Sequence, residues 1–155
     1  MPQILLSVIG MAGSAGAAFL GSWLGLRRFR SERVWESKWR VYQALSGALN
    51  DIYEQFECLL EARMAERIVP EEKQKLLEEA ADKAWVQVRK HARVGSLILS
   101  ERASAALARF LAEAERGRAA ADYGDYLERQ GAAVMEALRQ FNAAARADLA
   151  DTGRT

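Results

Sequence analysis

The chain is short of several residue types, and each shortage removes a class of function. A single cysteine, Cys58, leaves no disulfide framework and no thiolate zinc site. A single histidine, His91, argues against the metal and general-base centres that draw on two or three. The two prolines, Pro2 and Pro70, leave everything between them free to run as uninterrupted helix. Charge of one sign is also lacking: 22 basic against 21 acidic side chains give a net +1, too little to recruit nucleic acid or an acidic partner by bulk field. No stretch alternates apolar and polar residues as a half-buried strand would. What is abundant is Ala, Leu, Glu and Arg, the strong helix formers, over a length of 155 residues that suits one domain with an appendage.

The first charged side chain appears only at Arg27. Gln3–Leu26 reads QILLSVIGMAGSAGAAFLGSWLGL. At 1.5 Å per residue this spans roughly 36 Å, enough for a hydrocarbon core of about 30 Å with some tilt. Arg27, Arg28, Arg30 and Arg33 close it, with Trp23 one turn earlier as an interfacial anchor. The spacing predicts a transmembrane helix over 1–26, with these five residues at the membrane surface. The arginines place the C-terminal side in the cytoplasm and the short N-terminus outside. A cleaved signal peptide fits less well, because there is no basic n-region and the apolar run is too long, although Ala15–Gly16–Ala17 resembles a cleavage site.

Gly10, Gly13, Gly16, Gly21 and Gly25 sit in this segment, where glycine is useful if helices approach closely. Turning 100° per residue, Gly10, Gly13, Ser14, Ala17, Gly21 and Gly25 share about a third of the circumference. Ala15, Ala18 and Ser22 continue that surface, while Leu5, Val8, Ile9, Phe19, Leu20, Trp23 and Leu26 crowd the remaining arc. A dimer needs only a narrow small-residue stripe, whereas two contact patches suit a ring. The sequence therefore predicts a homo-oligomer joined through Gly10, Gly13, Ala17, Gly21 and Gly25 on one side and Ala15, Ala18 and Ser22 on the other.

Beyond the arginines the periodicity is helical. Trp35, Trp39, Tyr42, Leu45, Leu49, Ile52, Phe56 and Leu59 recur every three or four residues, with Tyr53 and Leu60 widening the stripe. Trp35 and Trp39 suit either an interfacial belt or the start of a core, and their register with Tyr42 and Leu45 favours core. This long helix, over 27–67, can continue directly from the membrane segment. Ile68–Val69–Pro70 turns the chain, with Pro70 at the first position of a second helix that reaches about Arg93. That helix aligns Leu76, Leu77, Ala80, Ala84, Val88 and Ala92. Ser100 caps a third helix carrying Ala103, Leu107, Phe110 and Leu111, closed at Arg116–Gly117. Asp122 opens a fourth with Leu127, Val134, Leu138, Phe141, Ala145 and Leu149 in register. The expected fold class is all-α: a transmembrane helix, a cytoplasmic bundle of about four helices over 27–150, and a polar tail over 151–155.

Chemistry-bearing constellations are scarce. His91 in VRKHARVG invites comparison with HEPN ribonucleases, whose motif sets an arginine a few residues before the histidine. Ala84, Trp85 and Val86 hold those positions, so a solvated histidine near a helix end is favoured. Cys58 lies among core-stripe residues with no histidine beside it and reads as an inert thiol. Glu71, Glu72, Glu78 and Glu79 neighbour helical lysines and read as a solvated face. No phosphate-cradling glycine loop occurs. The sequence thus predicts no enzyme, no catalytic residue, no metal and no cofactor, and membrane lipid rather than nucleic acid as the contact of the arginine cluster.

The run ERVWESKWRVYQALSGAL after a glycine-rich segment resembles a widespread set of uncharacterised bacterial single-pass membrane proteins. Their E-R-x-W-x-x-K-x-x-x-Y pattern is matched by Glu32, Arg33, Trp35, Lys38 and Tyr42. Their C-terminal A-R-x-D-L stretch is matched by Ala145, Arg146, Asp148 and Leu149, and their G-S-x-x-x-S link by Gly95–Ser100. Trp39 departs from the pattern, where a smaller or polar residue is commoner. The resemblance covers most of the chain and implies an inner-membrane anchor with a helical cytoplasmic domain, without an activity. In layout alone, the chain is also similar to membrane accessory proteins of RNA-targeting CRISPR systems, which assemble ring-shaped pores. Two function classes follow: an oligomeric pore-forming or membrane-perturbing effector in bacterial stress or phage defence, and a membrane-tethered adaptor that binds a cytoplasmic protein.

Overall fold

The computed structural model of the chain describes the backbone of residues 2–94 and 97–152 and the side chains of residues 33–94 and 97–151. Four α-helices follow one another: α1 (Pro2–Met64), α2 (Glu71–Val94), α3 (Glu101–Gly117) and α4 (Tyr123–Thr152). No strand occurs among the described residues, so the chain is all-α with a long first helix, as its composition predicts. Gly10, Gly13, Ala15, Ala17, Ala18, Gly21, Ser22 and Gly25, together with Trp23, Arg27, Arg28 and Arg30, belong to the part of α1 whose side chains lie outside the described residues. Among the described residues no helix is long and apolar enough to cross a membrane.

The bundle is built on α1, whose C-terminal half touches both α2 and α4, while α3 leans on α4 and only lightly on α2. Contacts between α1 and α4 run antiparallel, from Lys38 against Asp148, through Ser46 against Asn142, to Arg63 against Asp122. The 3.6-residue period explains the choice of face: Tyr42, Leu45, Leu49, Ile52 and Phe56 come round to one side and are buried. Against them lie Leu127, Val134 and Phe141 of α4, with Ala84 and Val88 of α2 and Leu107 and Phe110 of α3 completing one continuous core. Each fully withdrawn leucine, valine or phenylalanine contributes about 1.5–3 kcal/mol through burial. Trp85 of α2 stacks on Phe110 of α3 with ring centres 5.2 Å apart, and the Arg89 guanidinium covers the outer face of the indole.

The helix ends follow capping chemistry. Ser100 adopts an extended conformation and its hydroxyl accepts a hydrogen bond from the Ala103 N–H, the expected N-cap of α3. Asp122 caps α4 by accepting from the N–H groups of Gly124 and Asp125, which lowers its carboxyl pKa. The α1–α2 connection begins three residues earlier than the pattern predicts. Helix α1 ends at Met64 because Arg67 N–H bonds back to Ala62 C=O at 2.8 Å and Glu66 N–H to Arg63 C=O at 3.1 Å. This Schellman closure requires a left-handed residue at Glu66, with φ 52°. Helix α2 begins at Glu71, one residue later than expected, and the carbonyl of the preceding Pro70 accepts from Gln74 N–H.

Several side chains depart from the periodic reading. Trp35 and Trp39 lie outside the core, 38% and 45% exposed, with Trp39 lining a surface groove beside Leu149 of α4. Their indoles stack on each other instead, with centroids 5.9 Å apart and planes nearly parallel. Leu76 is also exposed, and Ala81 occupies the buried position on that turn of α2. Gly117 closes α3 without a positive φ. Its lack of a side chain makes room: a Cβ there would lie 2.5 Å from Gln130 Nε2, the group that donates to Ala114 C=O at 2.8 Å.

Since Glu66 holds a left-handed conformation that costs a side-chain-bearing residue roughly 1 kcal/mol, Glu66→Gly is expected to stabilise the bundle by about 0.5–1 kcal/mol. Chemical denaturation of the two proteins checks this; a less stable glycine variant contradicts the assignment of strain to this residue.

Candidate functional site

Three separate segments of the sequence supply one polar junction. Lys38 and Tyr42 stand one turn apart on α1, Ser100 caps α3, and Asp148 lies in the last two turns of α4. The Lys38 ammonium donates to both carboxylate oxygens of Asp148, at 3.0 and 3.2 Å. The Tyr42 hydroxyl donates to Asp148 Oδ2 at 2.7 Å, and the same phenol oxygen accepts from the Ser100 backbone N–H at 3.0 Å. Ser100 Oγ lies 3.3 Å from it. Lysine and aspartate side chains retain 24% and 15% exposure, so the ion pair is largely withdrawn from water, while Tyr42 is buried.

The electrostatics keep the phenol protonated. Burial pushes the Tyr42 pKa above its ordinary 10.0; the hydrogen bonds from Ser100 counter this in part, and the neighbouring Asp148 carboxylate adds to the rise. Tyr42 therefore acts as a fixed donor across the physiological range. Its ring packs at 5.5 Å from Phe141, so the same side chain joins the polar junction to the apolar core. One turn deeper, the Ser46 hydroxyl donates to Asn142 Oδ1 at 2.8 Å and extends the polar seam between α1 and α4.

This arrangement fastens α1, α3 and α4 to one another. The lysine is held by a carboxylate, the phenol donates and accepts, and Ser100 Oγ is occupied as a helix cap. Among the described residues no group of histidine, cysteine, aspartate and glutamate is placed to hold a metal ion. His91 is half-buried near the end of α2, where burial and then the adjacent Lys90 lower its pKa. Cys58 is a free, half-buried thiol on α1. Arg33 is the one arginine of the collar whose side chain is described, and it is exposed.

Comparison of the chain with protein-family models, with curated proteins and with solved structures gives no match. The junction consequently rests on its own geometry. Lys38, Tyr42, Ser100 and Asp148 all stand in the three sequence patterns singled out from the primary structure, and periodicity alone did not reveal that they meet. The available signal was local: Lys38 precedes Tyr42 by one turn, and Asp148 interrupts the apolar stripe between Ala145 and Leu149. Pairing across 110 residues is a property of the fold.

Removing the phenol oxygen isolates its contribution. Tyr42→Phe is expected to cost about 1–2 kcal/mol, since the Ser100 N–H and Asp148 each lose a partner in a largely dry site. Because the folded-state pKa of Tyr42 is raised, its contribution is fully present below pH 10 and declines as the pH climbs through the folded value. The alkaline loss of stability of the native protein should thus be shallower in Tyr42→Phe, as urea titrations on both sides of pH 10 would reveal; identical alkaline slopes contradict the assignment.

Proposed function

We propose that the chain is a self-associating, membrane-anchored helical protein. In this reading Gln3–Leu26 crosses a bacterial inner membrane once, the arginines of 27–33 meet the cytoplasmic headgroups, and the bundle stands in the cytoplasm. The observation that carries the reading is the uncharged segment of 24 residues ended by four closely spaced arginines. Its small-residue surface supports lateral assembly into a ring or larger bundle. The corresponding function is that of an effector that opens or perturbs the membrane in bacterial stress or phage defence. It needs no catalytic residue, cofactor or metal.

The polar junction gives this reading a mechanical element. Lys38 and Tyr42 belong to the same helix as the proposed span, and Asp148 and Ser100 belong to the body of the bundle. A displacement of the bundle would be passed to the anchor through those bonds. A second reading, the tethered adaptor, draws support from a different observation: an apolar groove opens between α1 and α4 at the end of the bundle away from Lys38. There the membrane segment serves only to localise the domain.

Mass measurement of the full chain in detergent, with and without Gly21→Leu, separates the two. The effector reading predicts a large assembly that Gly21→Leu breaks up while the protein stays in the membrane fraction, because bulk is added without loss of hydrophobicity. Depolarisation of cells producing the protein should be lost with it. A wild-type monomer contradicts the effector and leaves the adaptor, and recovery of the full chain in the soluble fraction contradicts both.

A further inference from the structure

The groove between α1 and α4 has a composition that selects its occupant. Gly131 and Ala132 of α4 form a low floor, and Tyr53, Leu60 and Met64 of α1 face Met135 across it, enclosing about 490 Å³. A Cβ on Gly131 would touch Phe56 Cβ at 3.9 Å, an ordinary van der Waals contact, so the base of the groove is formed where α4 packs on α1. Met64 and Met135 are 78% and 54% exposed at its edges. Tyr53 to Met64 covers three helical turns, roughly 16 Å, the length over which a bound helix presents anchors at i, i+3 or i+4, and i+7. Methionines at the edges adapt to different apolar side chains, because the thioether is flexible and polarisable.

The rim is acidic. Glu57 and Glu61 of α1 and Glu128 and Glu136 of α4 line it, and Arg139 is the one basic side chain that does so. That arginine is held at 2.6 Å by Glu136, which leaves the other three carboxylates to set the local field. The Tyr53 phenol donates to Glu57 at 2.9 Å, and this bond, then burial and the charges of Glu57 and Glu61, raise its pKa. An apolar trough with a negative rim repels anionic lipid, and a second copy of the same face would bring like charges together.

We infer that this groove is a docking site for an amphipathic helix of a partner protein, apolar on one face and lysine- or arginine-rich at its margins. The inference does not depend on how residues 3–26 are disposed, and it supplies a binding surface for whichever function class holds.

The test uses the full chain in a zwitterionic detergent and three fluorescein-labelled peptides of about four turns. The first is a leucine/lysine helix with leucine at i, i+3, i+4 and i+7, the second has glutamate in place of lysine, and the third is a scrambled leucine/lysine sequence of equal composition. Anisotropy, corrected for empty micelles, should report saturable binding of the first peptide alone. Met64→Ser/Met135→Ser and Glu61→Lys/Glu128→Lys alter exposed positions, so circular dichroism should confirm an intact fold. Each pair should weaken that binding by about tenfold or more. The inference is overturned if the first peptide fails to bind, if either control peptide binds equally well, or if neither variant pair changes its affinity. It is also overturned if the protein alone self-associates through this face, seen as a smaller mass in Glu61→Lys/Glu128→Lys. Failure of Gly21→Leu to alter the assembly would bear on the membrane reading and leave this result untouched.

Discussion

A carboxylate drawn most of the way out of water must be matched or the helix that bears it will not stay in place. Asp148 is matched twice from α1, by the Lys38 ammonium and by the Tyr42 hydroxyl. Tyr42 is in turn fixed by the first N–H of the Ser100 cap, so a single oxygen joins α1, α3 and α4. Leaving one partner of such a set alone costs more than the pair itself is worth, because the remaining charge keeps its desolvation penalty. The apolar stripes of α1 and α4 are interrupted at this level, and the polar contacts specify where the two helices meet along their length.

The two ends of the α1–α4 interface are built differently. Near Lys38 the seam is polar, with Ser46–Asn142 continuing it inward, and a groove lined by Trp39, Tyr42, Leu138 and Leu149 runs beside it. Beyond Phe56 the small side chains of Gly131 and Ala132 on α4 leave a surface trough beside α1 that is apolar with carboxylates at its edge. The Lys38–Tyr42–Asp148 contacts lie on the side of the uncharged N-terminal segment, and the acidic trough lies at the other end. That trough lies where α1 turns into α2.

Most of the bundle was legible in the sequence, for a reason visible in particular residues. Leu45, Leu49, Ile52, Phe56, Leu107, Phe110, Leu127, Val134 and Phe141 are large, apolar and helically spaced, and all are buried. Ser100 and Asp122 announce helix starts by chemistry that is local to four residues. Trp35 and Trp39 follow the same period and are exposed, since periodicity identifies a face and cannot say how fully the partner helices cover it. Met64 ends α1 although Ala65, Glu66 and Arg67 are all good helix formers, because a left-handed residue without glycine carries no sequence mark. The junction was quoted from the sequence as separate fragments, and its assembly depends on the antiparallel register of α1 and α4. The acidic trough left no trace, since its residues are ordinary exposed positions on two helices until those helices lie side by side.

A double-mutant cycle on Lys38 and Asp148 tests most directly whether this pair fixes the bundle. Lys38→Met and Asp148→Leu each remove one member of the ion pair, whereas the double variant replaces both by apolar side chains. Urea unfolding of the four full-length proteins should give a double variant more stable than the sum of the single losses implies, with a coupling of about 1–2 kcal/mol. Additive losses would contradict the claim that this contact holds α1 to α4.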